Sequence, residues 1–158
     1  LRIIGIDPGL GATGYGVVEA GAALEYGVIE TAPGDELPVR LSLLGEKLDE
    51  VVRRARPGLC ALETLFFKTV GARSVIRSAE SRGVILYVLG RHGIPVQELT
   101  PATIKLALTG SGRASKTQMN YMARALLKLD ERVPEHAADA LAAAYVLSRR
   151  QPTPAAAR

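Results

Sequence analysis

The chain has 158 residues, 47% of them apolar, with a net charge of +4 and a pI of about 9.5. That is enough chain for one domain with a full core, and too apolar a chain for intrinsic disorder. It has no uninterrupted apolar run long enough for a membrane span and no basic-then-apolar leader, and its single cysteine, Cys60, excludes an internal disulfide and suits a reducing cytosol.

Residues 2–7 are an Ile-rich run stopped by Asp7-Pro8-Gly9, which predicts a buried strand. "TGYGVVE" (13–19) and "LEYGVIE" (24–30) predict two more, joined by the tight turn "AGAA" into an antiparallel meander. From 37 to 55, Leu37, Leu41, Leu44, Leu48, Val51 and Val52 recur at helical spacing until "RPG" ends the helix. "LCALE" (59–63) reads as a buried strand parallel to the first. A helix over 73–91 follows, its second half "GVILYVLG" apolar on more than one face, which predicts deep burial or a partner subunit.

"IPVQEL" is the last strand. Thr100 and Pro101 then read as N-cap and first residue of a helix, and "TGSGRAS" as a loop. Ser115 and Gln118 form a capping box opening a helix to about Leu129, and Pro134 starts the final helix. Residues 1–150 are expected to form one domain, with a disordered low-complexity tail over 151–158. Three antiparallel strands followed by parallel strands alternating with helices predict an α/β, ribonuclease-H-like mixed five-stranded sheet flanked by helices.

Charge is unevenly placed. Between Lys68 and Lys128 there are ten basic residues against two acids, Glu80 and Glu98, which reads as a footprint for an anionic polymer. Asp7 and Glu63 each end a predicted strand, and groups at the carboxyl ends of neighbouring parallel strands converge. His136 and Asp139 lie three apart on the last helix and share a face that can close over that end. Clustered carboxylates repel one another unless divalent cations occupy the site. Phe66 and Phe67, the only phenylalanines, follow Glu63 closely and offer a wedge or stacking surface for bases.

"GIDPGLGATGYGVVE", "LETLFF", "TPATIKLALTGSGRASKTQM" and "HAADALAAA" together resemble the RuvC family of Holliday-junction resolvases over about residues 2–148. The resemblance implies a ribonuclease-H-like homodimer that nicks opposed strands of a four-way DNA junction with two divalent cations, Mg²⁺ or Mn²⁺. Metal-assisted hydrolysis is expected to leave 5′-phosphate and 3′-hydroxyl ends, a cytoplasmic location is expected, and the resemblance implies a branch-migration helicase complex as partner. It also implies that Asp7, Glu63, His136 and Asp139 are the catalytic metal-binding residues and that Phe66 is the base-stacking wedge. Lys105 and Lys116 match basic positions for DNA binding, Lys116 with a catalytic part as well. Arg73, Arg77, Arg113 and Phe67 are further expected DNA contacts. Thr64 stands where the family often has Gln, the stretch after Phe67 is one residue longer than usual, and His136 stands where some members have Asp.

Two divalent ions, three carboxylates and a scissile phosphate balance with a neutral His136, and the positive end of the helix macrodipole disfavours imidazolium there. The glycines around Asp7 read as clearing space above it for a DNA backbone.

Three rival readings are weighed against this one. An actin-like or sugar-kinase ATPase also begins with an aspartate and a glycine turn, but it needs a second lobe, and no GxxxxGK[ST] loop is present. A junction-binding module without activity has no need of three clustered acids. Another ribonuclease-H-fold nuclease is the nearest enzyme alternative.

Overall fold

The computed structural model describes residues 1–64, 72–129 and 133–151; the expectations for Phe66, Phe67 and the tail over 152–158 lie outside the described residues. Strands β1 (Arg2–Asp7), β2 (Ala12–Glu19) and β3 (Ala22–Glu30) precede helix α1 (Leu37–Ala55). Then follow β4 (Leu59–Glu63), α2 (Ala72–Arg91), β5 (Val96–Leu99), α3 (Pro101–Thr109), α4 (Lys116–Leu127) and α5 (Glu135–Arg150). The sheet order is β3-β2-β1-β4-β5. The first three strands pair antiparallel, and β4 and β5 add in parallel beside β1, as the sequence pattern predicts.

The β2–β3 hairpin is tighter than expected. Its turn is Ala20-Gly21 alone, with φ of 51° and 80°, so the strands extend through Glu19 and from Ala22. Two positive φ values match the right-handed twist of a hairpin, and Gly21 takes the second without strain. The caps read from sequence are present. Thr100 Oγ1 accepts from the Thr103 amide, and Ser115 and Gln118 form a reciprocal capping box.

Strand alternation sorts side chains into two cores. Ile4, Ile6, Val17, Cys60 and Leu62 face α1 and α2, meeting Leu44, Leu48, Val52, Ile85 and Leu89. Ile3, Val18 and Ala61 face α5, with Ala137, Leu141, Ala144 and Leu147. Cys60 is fully buried, and desolvation pushes its thiol up to about 12, so it is chemically inert at neutral pH.

The glycines of β1 and β2 make the α5 contact possible. Gly5 and Gly16 are cross-strand partners, as are Asp7 and Gly14. A Cβ on Gly5 would stand 1.9 Å from the Ala140 carbonyl oxygen; one on Gly14 would stand 2.0 Å from that of His136; one on Gly16 would stand 2.5 Å from Leu141 Cγ. This corrects the sequence expectation that the glycines open space for DNA. Three of the five are a bed for α5, and a Cβ on Gly9 would strike the Ala12 carbonyl oxygen at 2.4 Å within its own turn. Gly11 alone among them has room for a Cβ, which would be in ordinary contact with Arg40 Nη2 at 3.9 Å. An alanine-rich helix on a glycine bed lets backbones approach closely while Leu141, fully buried, contributes about 1.5–3 kcal/mol of apolar burial.

Candidate active site

The same alternation positions the acids. On β1, Asp7 shares the face of Ile3 and Gly5. On β4, Glu63 shares the face of Leu59 and Ala61. Both are therefore on the α5 side. Gly5 pairs with Ala61 and Ile6 with Leu62, so Asp7 and Glu63 end adjacent parallel strands side by side. The α5 helix, seated over Gly14 by its His136 carbonyl, brings its first turns over this end of the sheet. His136 Nδ1 and Asp7 Oδ2 share a hydrogen bond of 2.7 Å, in which the ring N–H donates when the carboxylate is ionised. Asp139, one turn on, lies 3.6 Å from Lys116 Nζ, and Lys116 also pairs with Glu135.

The electrostatics are those of a crowded acidic cluster. Burial raises Glu63 to about 7, and repulsion from Asp7 and Asp139 adds to it, opposed by Lys116 and Lys105. Burial also raises Asp7, against the opposing His136 bond, and raises Asp139, against the charge of Lys116. Lys116 is raised in turn, chiefly by its bond to Glu135. Among the described residues no three Asp, Glu, His or Cys side chains are drawn into a ready coordination shell. The donor chemistry nevertheless fits divalent cations. Three partly buried carboxylates repel one another in one place, and a cation is what relieves that repulsion.

Two cavities meet the cluster. A cleft of about 160 Å³ is lined by Glu63, Ile104, Lys105, Lys116, Met119 and Asp139. An open groove of about 650 Å³ runs on the other side of His136, past Gly9–Ala12, Arg40, Arg73 and Arg77. Of the expected DNA contacts, Lys105 and Lys116 thus reach the acids, and Arg73 and Arg77 line the groove. Arg113 stands exposed on the loop between α3 and α4 and lines neither. Arg82, in the basic half of the chain, is a brace: it donates to the Glu63 carbonyl oxygen at 3.2 Å and pairs with Glu98.

Sequence reasoning missed Glu135 and Arg40. Glu135 adjoins His136 and is an acid in the first turn of α5, a visible signal. Arg40 sits in an amphipathic helix among leucines, and no local motif marks it.

A mixed sheet of this order, with acids at the ends of β1 and β4 and a helix carrying more across them, defines a ribonuclease-H-like nuclease. The family model described as "Crossover junction endodeoxyribonuclease RuvC" matches residues 3–146, and the chain belongs to that family. The crossover junction endodeoxyribonuclease RuvC of Petrotoga mobilis is 46% identical, over 90% of this chain and 90% of that one. That of Salinispora arenicola is 44% identical, over 91% and 85%. Among solved structures, T. thermophilus RuvC in complex with Holliday junction substrate superposes with a TM-score of 0.87 at 32% identity, covering 94% of this chain and 93% of that one.

The function is therefore hydrolysis of DNA at four-way junctions in recombination and repair, by a member of a metal-dependent nuclease family. No described helix is long and apolar enough to cross a membrane.

Proposed function

We propose that Asp7, Glu63, His136 and Asp139 hold two divalent cations, Mg²⁺ or Mn²⁺, and that the enzyme cuts to leave 5′-phosphate and 3′-hydroxyl ends. The observation that carries this reading is the meeting of three carboxylates, all raised by burial, on one face at one end of the sheet. Bound there, the cations supply activation of an attacking water and stabilisation of the leaving oxygen. Asp7 orients the His136 ring through Nδ1, so that Nε2 is the nitrogen His136 would offer to a cation. Lys116 leaves Glu135 and Asp139 to bind the scissile phosphate, whose charge grows as it is attacked. Lys105 shares the cleft with Lys116 and holds the same strand. Phe66 and Phe67 supply base stacking at the crossover, with Arg73, Arg77 and Arg113 as further phosphate contacts.

A four-way junction has two-fold symmetry, and a C2 homodimer offers it two matching sites. Support for a dimer comes from α2, where Ile76, Leu86 and Tyr87 stand 56%, 38% and 65% exposed. A cytoplasmic location, which the lone buried Cys60 suits, and a branch-migration helicase complex as partner, which follows from the family resemblance, complete the proposal.

The test is cleavage of a four-way junction beside linear duplex and an RNA–DNA hybrid, with wild type and Asp7→Asn. Only the junction should be cut, in paired nicks. Asp7→Asn should bind it and not cut, because binding rests on phosphate contacts by basic residues. Cutting by Asp7→Asn at near the wild-type rate would refute the site.

A further inference from the structure

The groove beyond His136 contains one arginine that the proposed DNA contacts do not include. Arg40 Nε donates to Thr31 Oγ1 at 2.9 Å, and the Thr31 hydroxyl donates in turn to the Leu10 carbonyl oxygen. Thr31 is buried, and its amide donates to the Gly11 carbonyl oxygen at 3.1 Å. Arg40 is thus tied through one side chain to the turn that follows Asp7. Among the described residues only its Nε is used, which leaves the terminal nitrogens of the fork for the groove. Among the described residues neither Arg40 nor Arg73 has a carboxylate partner, while Arg77 pairs with Glu80. Ser74 and Ser78 add hydroxyls along the same wall, and Gly11 presents bare backbone opposite Arg40.

Guanidinium, hydroxyl and bare backbone suit a sugar–phosphate strand. We propose that Arg40, braced by Thr31, is a positioning residue that holds a backbone phosphate of the junction strand as it runs past His136 along this groove. The inference rests on the reading of the site as a junction nuclease and adds a contact on the side away from the Lys105–Lys116 cleft. The brace has a physical purpose. An arginine fixed beforehand loses less freedom on binding than one on a free surface.

The experiment measures binding of a fixed four-way junction across a salt series, without divalent cation, and cleavage over a range of junction concentrations with it, for wild type, Arg40→Gln and Arg40→Lys. Thermal melts confirm that each variant is folded. Arg40→Gln should bind about tenfold more weakly and lower the slope of log K against log salt by about 0.9, one phosphate contact, with kcat held and KM raised. Arg40→Lys keeps the charge but not the fork, and should keep the wild-type slope with an intermediate affinity. Unchanged binding and slope in Arg40→Gln would overturn the inference and leave the nuclease site standing. A kcat loss with unchanged KM would overturn it also, by placing Arg40 in the chemistry. A wild-type protein that binds no junction would remove the functional reading itself, and the inference with it.

Discussion

His136 Nδ1 stands 2.7 Å from Asp7 Oδ2, joining the start of α5 to the end of β1 across a sequence separation of 129 residues. The bond exists because Gly14, the cross-strand partner of Asp7, has no side chain and lets the His136 backbone settle onto the sheet. Site geometry and helix seating are therefore one feature, and damage to the second should reach the first.

Gly14→Ala tests this link. Its Cβ would fall 2.0 Å from a backbone carbonyl oxygen, which cannot rotate away. Overpacking of this kind costs about 1–3 kcal/mol or more. Urea denaturation should show at least about 2 kcal/mol lost, and the folded fraction should cut junctions poorly, because α5 carries His136 and Asp139 away from Asp7. Wild-type stability and cleavage would contradict the glycine-bed account.

The raised carboxylates predict an unusual pH dependence for the metal-free protein. Glu63 titrates near 7 in the folded chain and near 4.5 unfolded. Between those values the folded state binds more protons, so stability must fall as pH rises through the window. The shift corresponds to on the order of 3 kcal/mol, and the raised Asp7 and Asp139 act in the same direction. In a chelator, the melting temperature should decline from pH 5 to pH 7.5. Glu63→Gln should flatten the decline, and saturating divalent cation at pH 7.5 should restore stability. A melting temperature that climbs steadily over this range in chelator would contradict the clustered-acid electrostatics.

Lys116 sits between the acids and the place proposed for the phosphate. Lys116→Met should lower kcat about 10²- to 10³-fold, the loss typical of one transition-state charge contact, while junction affinity falls only a few-fold. Single-turnover cleavage with a parallel binding titration separates the two. Equal losses in both would make Lys116 a general strand contact.

The imidazole in the ligand set bears on metal choice. Nitrogen donors favour Mn²⁺ over Mg²⁺, so Mn²⁺ should support at least as much cleavage as Mg²⁺ at matched concentration. Strong Mg²⁺ activity with none in Mn²⁺ would exclude His136 as a ligand that matters.

Leu86 and Tyr87 are exposed on α2, whose opposite face packs Ile85 and Leu89 into the core. A Leu86→Asp, Tyr87→Asp double variant should remain folded and run as a monomer in light scattering at micromolar concentration. Its nicks on the two opposed strands should lose their pairing. A wild-type protein that is itself monomeric at that concentration would refute the dimer.

The elements were legible in the sequence because their signals are local. Alternation marked the strands, leucine spacing marked α1, and Ser115 with Gln118 marked the start of α4. Asp7, Glu63, His136 and Asp139 were legible as candidates because each stands at a strand end or on one helix face. The length of the β2–β3 turn was not, since Ala20 is an unexpected residue at positive φ.

Three things were decided by the tertiary structure alone. The glycines look, in one dimension, like a loop made for a ligand, and only the packing of α5 shows that most of them serve a helix. Arg40 lies in α1 and Thr31 in the loop after β3, so no spacing rule joins them to the turn after Asp7. The height of Glu63's pKa depends on burial and on charges brought from β1 and α5. Sequence determines what depends on neighbours a few residues away; the close approach of distant backbones and the sum of distant charges exist only once the chain has folded.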